Sequence, residues 1–252
     1  MCSDPFVRPQ SLLRLARRAC ESREQNVTTR SLKPIIALIL GGIVVALCCV
    51  FVDRPLAWYV HEHRFCSDDF RLWPMLVSGW LTWLAVAGIV AVVAWRVWRP
   101  GGQFQTLLLA IAANLIATEG IKSVLKWAFG RNGPWFGDNS FWIADGVYGF
   151  HPFAVGGGRS FPSGHAAATF AVISILWLSR PRWRWLYAVV GGLVCVAMVG
   201  LNYHYAGDVI AGALLGSVTG VYATRLFRLE TWRKTSLQPV GIDRHGERAA
   251  RR

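Results

Sequence analysis

Residues 186–227 read LYAVVGGLVCVAMVGLNYHYAGDVIAGALLGSVTGVYATRLF. Two apolar runs, 186–203 and 208–227, stand on either side of a short polar junction. Each run is close to the roughly 20 residues that a helix needs to cross the ~30 Å of hydrocarbon in a bilayer. The stretch therefore predicts two membrane-spanning helices that are joined at one face of the membrane.

The same pattern recurs along the whole chain of 252 residues. Four further apolar blocks occur at 34–52, 75–98, 104–129 and 163–179. Hydrophobic residues make up 54% of the chain and charged residues only 16%, whereas a soluble chain carries about 25% charged residues. Too little polar sequence remains to cover six such helices in water. We therefore predict an all-α fold, a bundle of six transmembrane helices.

Lys and Arg residues are distributed unevenly between the two sides that six spans would define. The side that holds both termini carries twenty of the 27 Lys and Arg residues, and the other side carries seven. Because positive charge marks cytoplasmic connections, both termini are predicted to be cytoplasmic. The net charge of +13 then follows from topology, and no nucleic-acid partner is expected.

Composition divides the chain into three segments. Residues 1–33 form a basic cytoplasmic N-terminal segment, residues 34–228 form the six-span core, and residues 229–252 form a basic tail with the polarity of a disordered segment. The N-terminal segment lacks the short charged region and the small-residue cleavage site of a secretory signal peptide. The first apolar block is therefore expected to be an uncleaved signal anchor.

Polar residues at the start of the fourth block suggest an anion site. The run Phe161-Pro162-Ser163-Gly164-His165 contains the Pro and Ser that are typical of a helix start. Free amides at a helix N-terminus bind anions, and Gly164 would let a phosphate approach the backbone. Lys122 and Lys126 share a helix face and end on the same side of the membrane. Taken alone, these residues also fit a simple helix cap and snorkelling lysines.

The lysines on the third block form one polar cluster, and the start of the fourth block forms a second. The junction between the fifth and sixth blocks holds a third, which contains His204 and Asp208. If the helical path continues, the two share a face, and Asp208 could accept a hydrogen bond from one imidazole nitrogen while leaving the other free. Alternatively, Asp208 is a plain helix N-cap. Because all three clusters emerge on the non-cytoplasmic side, histidines, a carboxylate and cations can converge there, as phosphoryl transfer requires.

In order and spacing, these residues resemble the type 2 phosphatidic acid phosphatase superfamily, whose motifs are K-x6-R-P, P-S-G-H and S-R-x5-H-x3-D. The matching positions are Lys126 with Pro134, the run Pro162-Ser163-Gly164-His165, and His204 with Asp208. The resemblance covers about 35–227, nearly all of the membrane core. Both motif arginines are missing from their places, which are occupied by Gly133 and Met198.

The resemblance implies a lipid phosphatase that hydrolyses a phosphomonoester or pyrophosphate at the outer membrane face without a metal or other cofactor. It makes His204 the nucleophile that forms a phosphohistidine, Asp208 the group that fixes its tautomer, and His165 the proton donor and later the activator of water. Arg131 is the first substitute expected for the missing arginines. The expected phosphate ligands are Lys126, Arg131, Ser163, the Gly164 amide, Lys122 and Arg159.

The expected partners are the membrane and a lipid phosphate, because the site lies at the depth of the head groups. Undecaprenyl pyrophosphate, phosphatidylglycerol phosphate, phosphatidic acid and lipid A phosphate are all compatible with the resemblance. The small core and short connections favour a bacterial inner membrane, with the site facing the periplasm or the cell exterior. Three alternatives stay open: a lipid phosphotransferase with the same site, a non-catalytic lipid-phosphate-binding member, and a six-span transporter or channel.

Overall fold

The computed structural model describes residues 35–63, 87–88, 90–95, 98, 102–134, 143, 146, 148–153 and 160–229. By its internal contacts the chain divides into two units, Met1–Val44 and Val45–Arg252. In the first unit, the described residues are helical and most of their large apolar side chains are exposed. The second unit contains every candidate site residue that is described.

Helices make up most of the described residues. They are α1 (Ile35–Glu62), α2 (Gln103–Phe129), α3 (Gly164–Ser179), α4 (Arg184–Gly200) and α5 (Ala206–Leu226). A 3-10 turn, Pro181–Trp183, leads into α4. Within the described ranges no strand occurs, and the pairing of Arg131 with Phe150 is an isolated antiparallel bridge. The all-α prediction is thus confirmed for this part of the chain.

Among the described residues, four helical stretches are long and apolar enough to cross a membrane. They are Ile35–Glu62, Gln103–Phe129, Pro181–Gly200 and Ala206–Leu226, with mean hydropathies of 3.2, 1.5, 1.5 and 1.4. α3 is apolar but has only 16 residues. Most of the predicted span 75–98 lies outside the described residues, although 87–88 and 90–95 are helical. These helices support a multi-pass membrane protein, whereas six spans and cytoplasmic termini stay predictions.

α1 continues beyond the predicted end of the first block at residue 52, and it ends at Glu62. The sequence places a charge, Asp53, directly after the apolar run, which is the usual mark of a membrane boundary. In the structure Asp53 is only 1% exposed, because an arginine from another segment neutralises it. The turn before it, Cys48–Val52, is π-helical, a geometry that is frequent at functional sites.

The end of α2 depends on a glycine. Gly130 has φ +56°, in the left-handed region, and its N–H donates to the carbonyl of Lys126 at 2.9 Å. A Cβ atom at this position would lie 1.9 Å from the carbonyl oxygen of His151. A side chain is therefore excluded by both conformation and space, and the chain turns sharply into Arg131.

Glycines also allow α5 to pack directly against α3. A Cβ atom at Gly212 would lie 2.3 Å from the Ser163 carbonyl oxygen, and one at Gly216 would lie 2.2 Å from the Ala167 carbonyl oxygen. Small residues spaced four apart let two helix backbones approach closely. This contact aligns the N-termini of α3 and α5, so that the N–H of Ser163 donates to the backbone carbonyl of Asp208 at 2.9 Å.

Candidate active site

Two histidine rings lie close together where α3 and α5 begin. The ring centroids of His165 and His204 are 6.3 Å apart, and the ring planes are inclined by 61°. Tyr203 packs edge-on against both rings, at 5.7 Å and 5.4 Å between centroids. Burial raises the pKa of the Tyr203 phenol, so this ring stays neutral. The structure thus brings both sequence-selected histidines to one place.

The helical path that would link His204 to Asp208 does not exist. α4 ends at Gly200 and α5 begins at Ala206, so His204 lies in the turn between them. Its Nδ1 atom is 3.8 Å from Oδ2 of Asp208, which is beyond hydrogen-bond length. The expected direct hydrogen bond is therefore absent, because Asp208 is in the first turn of α5 and His204 precedes that helix.

The hydroxyl group of Ser160 fills the gap between these two side chains. Its Oγ atom lies 3.1 Å from Nδ1 of His204 and donates to Oδ2 of Asp208 at 2.5 Å. Ser160 is 6% exposed, and its N–H donates to the carbonyl of Arg131 at 2.9 Å. The sequence analysis did not select Ser160 as a site residue. Its position directly before the run that begins at Phe161 was the sequence signal that could have indicated it.

Arg131 has different surroundings from those expected of a phosphate ligand. Its side chain has no exposed surface, and its Nη1 and Nη2 atoms form ion pairs with Asp208 Oδ1 at 2.6 Å and Asp53 Oδ2 at 2.7 Å. The guanidinium carbon also lies 4.4 Å from the ring centroid of Tyr205 and 4.8 Å from that of Phe150. Arg131 thus forms a buried ion-pair network with two carboxylates, and its expected contact with phosphate stays a prediction.

The charge of Arg131 is stable in this environment. Burial alone would lower the pKa of the guanidinium, but the carboxylates of Asp208 and Asp53 outweigh burial and raise the pKa above its usual value. The phenol of Tyr148 accepts a hydrogen bond from Arg131 Nη2 at 3.1 Å and donates to the Cys49 carbonyl at 2.8 Å. The permanently charged Arg131, in the loop after α2, therefore links that loop to α1 through Asp53 and to α5 through Asp208.

Asp53 is a second buried residue that the sequence analysis missed. Besides the ion pair with Arg131, its Oδ1 atom accepts the N–H of Gly207 at 2.8 Å. Asp208 likewise accepts the N–H of Tyr205 at 3.3 Å. Each carboxylate thus binds the first turn of α5, or the residue before it, as well as the arginine. In sequence, Asp53 looked like an ordinary charge at a membrane boundary.

The predicted cations on α2 lie beside the start of α3. Lys122 forms an ion pair with Glu119, and only 14% of its side chain is exposed. Its Nζ atom is 3.3 Å from the position that a Cβ on Gly164 would occupy. Lys126 follows one helical turn later, and both ammonium groups lie within electrostatic range of His165. Two lysines thus flank the helix start and one histidine ring.

Ser163 acts as the N-cap of α3. Its Oγ atom accepts the N–H of Ala166 at 3.4 Å, and its side chain is fully buried. The hydroxyl group of Ser163 therefore caps the helix, as the simpler interpretation of the sequence predicts. Gly164, in contrast, is partly exposed, which keeps its backbone accessible. The phosphate-binding roles assigned to Ser163 and to the Gly164 amide stay predictions.

Two further predictions about the site stay open. Arg159, one of the expected phosphate ligands, lies outside the described residues. Among the residues that the structure describes, no group of three or more His, Cys, Asp or Glu side chains could hold a metal ion. Metal independence therefore remains an expectation that needs an experiment.

Sequence comparison assigns the chain that carries this site to a known family. The family model described as PAP2 superfamily matches residues 106–232, which is half of the chain. The matched range includes both histidines, both lysines on α2, Ser160, Arg131 and Asp208. It does not include Asp53, although that side chain is part of the same buried network.

Curated relatives share shorter stretches with this chain. A lipid A 4'-phosphatase from Bacteroides thetaiotaomicron is 35% identical over 116 residues, 45% of this chain and 50% of that protein. An undecaprenyl-diphosphatase from Sulfolobus acidocaldarius is 41% identical over 59 residues, 23% and 29% of the two chains. The bacitracin transport permease protein BcrC of Bacillus licheniformis is 33% identical over 64 residues, 25% and 32% of the two chains. This chain therefore spans half or less of each relative's length. No solved structure matches it.

Proposed function

Because this chain belongs to the PAP2 superfamily, we propose that it is a membrane lipid phosphatase that hydrolyses a phosphomonoester or pyrophosphate at the outer membrane face. The observation that carries the proposal is the 6.3 Å separation of the His165 and His204 rings, beside lysines and a helix N-terminus. Such a group can bind and transfer a phosphoryl group. Two of the relatives are named as phosphatases of lipid A and of undecaprenyl diphosphate, which supports a lipid substrate.

The first proposed step forms a covalent phosphohistidine. Nε2 of His204 attacks phosphorus while the bond from phosphorus to the leaving oxygen breaks, and His165 donates a proton to that oxygen. Nδ1 of His204 is engaged by Ser160 at 3.1 Å, which leaves Nε2 for the attack. The phosphoryl group is then held on nitrogen, and the dephosphorylated lipid or lipid monophosphate departs.

The second proposed step regenerates the enzyme. His165, which has lost its proton, takes one from a water molecule, and the water oxygen attacks phosphorus. The bond between phosphorus and Nε2 breaks, and inorganic phosphate is released. Lys122, Lys126 and the Gly164 amide hold the equatorial oxygens throughout, with Arg159 and Ser163 as further ligands, since charge on these oxygens must be stabilised. Asp208 supports the charge on the histidine ring, and no metal takes part.

The site would lie at head-group depth in a bacterial inner membrane and face the periplasm or the cell exterior. The apolar helices support the membrane location, and the positions of the polar residues at helix ends support head-group depth. The absence of both motif arginines, at Gly133 and Met198, favours one rival, a non-catalytic protein that binds lipid phosphates. A phosphotransferase would differ only in the acceptor of the second step, an alcohol instead of water.

The decisive experiment measures phosphate release from lipids by the purified full-length protein in detergent with EDTA. The substrates are undecaprenyl pyrophosphate, phosphatidylglycerol phosphate, phosphatidic acid and lipid A. We expect release from at least one of them in EDTA, and loss of release in His204→Ala and His165→Ala. A matched control is His63→Ala, because His63 is exposed at the end of α1 and is not assigned to the site.

Two results would contradict the proposal. Turnover retained in a folded His204→Ala variant would exclude this residue as nucleophile. Binding of all four lipids without phosphate release would favour the non-catalytic rival. Release that requires a divalent metal would refute metal independence but not the phosphatase itself. Addition of a lipid alcohol separates a phosphotransferase, since phosphate would then appear on the added lipid.

A further inference from the structure

The link between the two residues expected to form a catalytic pair is indirect. Nδ1 of His204 and Oδ2 of Asp208 are 3.8 Å apart, which is too far for a direct hydrogen bond. Ser160 lies within hydrogen-bond distance of both, at 3.1 Å from the imidazole and 2.5 Å from the carboxylate. All three side chains are buried, so the hydroxyl group bridges the imidazole and the carboxylate inside the protein.

Asp208 cannot turn towards His204 without losing other contacts. Its Oδ1 atom is paired with Arg131 at 2.6 Å, and its Oδ2 atom also accepts the N–H of Tyr205 at 3.3 Å. The position of Ser160 is fixed as well, because its N–H donates to the Arg131 carbonyl at 2.9 Å. Arg131 thus holds the carboxylate by its side chain and the serine by its backbone.

The direction of the hydrogen bonds follows from the groups themselves. Asp208 is ionised beside Arg131, and an ionised carboxylate can only accept. Ser160 must therefore donate its one proton to Asp208, and its oxygen can then only accept from His204. Nδ1 of a neutral His204 must carry the proton, which leaves the lone pair on Nε2. The hydroxyl group selects the tautomer in which Nε2 is the nucleophilic atom.

We propose that Ser160 is a positioning residue that transmits the orientation and charge of Asp208 to His204. The consequence for catalysis rests on the proposed function, whereas the tautomer itself does not. Without the hydroxyl, the imidazole loses the acceptor for its Nδ1 proton, and the form with the proton on Nε2 becomes accessible. That form has no lone pair on the attacking atom and cannot form the phosphohistidine.

Nuclear magnetic resonance of the imidazole nitrogens tests the proposal directly. The full-length protein, labelled with nitrogen-15 on histidine, is compared with Ser160→Ala, and the His204 signals are assigned with His204→Asn. In the wild type we expect neutral His204 to carry its proton on Nδ1. In Ser160→Ala we expect a larger population of the tautomer with the proton on Nε2. Ser160→Thr keeps a hydroxyl group and should restore the wild-type tautomer.

Kinetics on the best lipid substrate provide the second readout. We expect kcat of Ser160→Ala to fall roughly 10- to 100-fold, the range for loss of a hydrogen bond to a charged group, with KM unchanged. The matched control is Ser179→Ala, which removes another buried serine hydroxyl, one that donates to the Ile175 carbonyl at 2.6 Å. That variant should keep both kcat and the His204 tautomer.

Two outcomes overturn the proposal. One is a Ser160→Ala protein with the wild-type tautomer and undiminished kcat. The other is a loss of kcat with an unchanged tautomer, which would mean that the hydroxyl acts only through the fold. If the wild type releases phosphate from no lipid, the proposed function fails, but the nitrogen spectra of the resting protein still decide the role of Ser160.

Discussion

Arg131 and Asp208 form a buried ion pair, with Nη1 of the arginine 2.6 Å from Oδ1 of the carboxylate and no exposed surface on either side chain. The pair joins the turn after α2 to the first turn of α5. Asp208 is therefore fixed on one side by a charge and on the other by Ser160. Its orientation does not depend on direct contact with His204, the histidine that it is proposed to support.

Replacement of Arg131 should be among the most destabilising changes in this protein. Arg131→Met leaves two buried carboxylates without their counter-charge, and breaking a buried pair in this way costs about 3–5 kcal/mol. We expect a large drop in the midpoint of thermal unfolding in detergent. Arg182→Ala is the control, because Arg182 is exposed. A variant that unfolds like the wild type but binds phosphate more weakly would support the predicted role of Arg131 as a phosphate ligand instead.

Asp53→Asn should weaken the same network less severely. The amide oxygen can still accept the N–H of Gly207, but one of the two charges beside Arg131 is lost. We expect destabilisation of about 1–3 kcal/mol, the cost of weakening a hydrogen bond to a charged group, measured by thermal unfolding. Glu62→Gln, at the exposed end of the same helix, is the matched control. Equal effects of the two substitutions would argue against a specific role of Asp53.

Lys122 and Glu119 should affect substrate binding in opposite directions. Lys122→Met removes a cation beside Gly164 and should raise KM for the lipid phosphate roughly tenfold or more, as expected for a charge-assisted contact. Glu119→Gln removes a competing carboxylate from Lys122 and should lower KM by a few-fold, in keeping with the small energy of exposed pairs. Steady-state kinetics at fixed salt measure both. A rise in KM for both variants would contradict the assignment.

His165→Ala should trap the phosphohistidine if the leaving group needs little protonation. The second step then lacks its base, so phosphate should remain on nitrogen after a brief incubation with a labelled pyrophosphate lipid. The label is expected to be acid-labile and alkali-stable, and to map to His204 by mass spectrometry. Its absence from the double variant with His204→Ala is the control. Label on any other residue would contradict the mechanism.

Gly216→Ala should disturb the contact between α5 and α3. The new methyl group would lie 2.2 Å from the Ala167 carbonyl oxygen, and forced shifts in a packed core cost about 1–3 kcal/mol. Gly192→Ala is a stringent control, since a Cβ there meets nothing within 4 Å, and alanine favours a helix interior by about 0.5–1 kcal/mol. The two variants should therefore shift thermal unfolding in opposite directions.

The helices and the residues at their ends could be predicted because they depend on local pattern. Apolar runs located α2 and α5 to within a few residues, and Pro162 with Ser163 indicated a helix start, as found. The proximity of His165 and His204 was expected from the alternation of six spans, which itself stays a prediction. The helices and their starts, in contrast, are determined by nearby sequence.

The buried network could not be predicted, because its partners are far apart in sequence. Asp53 reads as a flanking charge until Arg131 is known to lie beside it. Ser160 belongs to no periodic pattern, and its importance arises from the 3.8 Å gap between His204 and Asp208. That gap in turn exists because the chain is not helical between Gly200 and Ala206. Such pairings are decided by packing rather than by local propensity.

The carboxylate that α1 contributes also limits how far this protein can be trimmed. A fragment confined to residues 106–232 would retain the residues proposed for chemistry but leave the arginine in the turn after α2 with one counter-ion instead of two. The guanidinium group would then lose one of its two ion pairs in a water-poor interior. Engineering of a minimal catalytic fragment should therefore retain the first helix, or supply a substitute acid in its place.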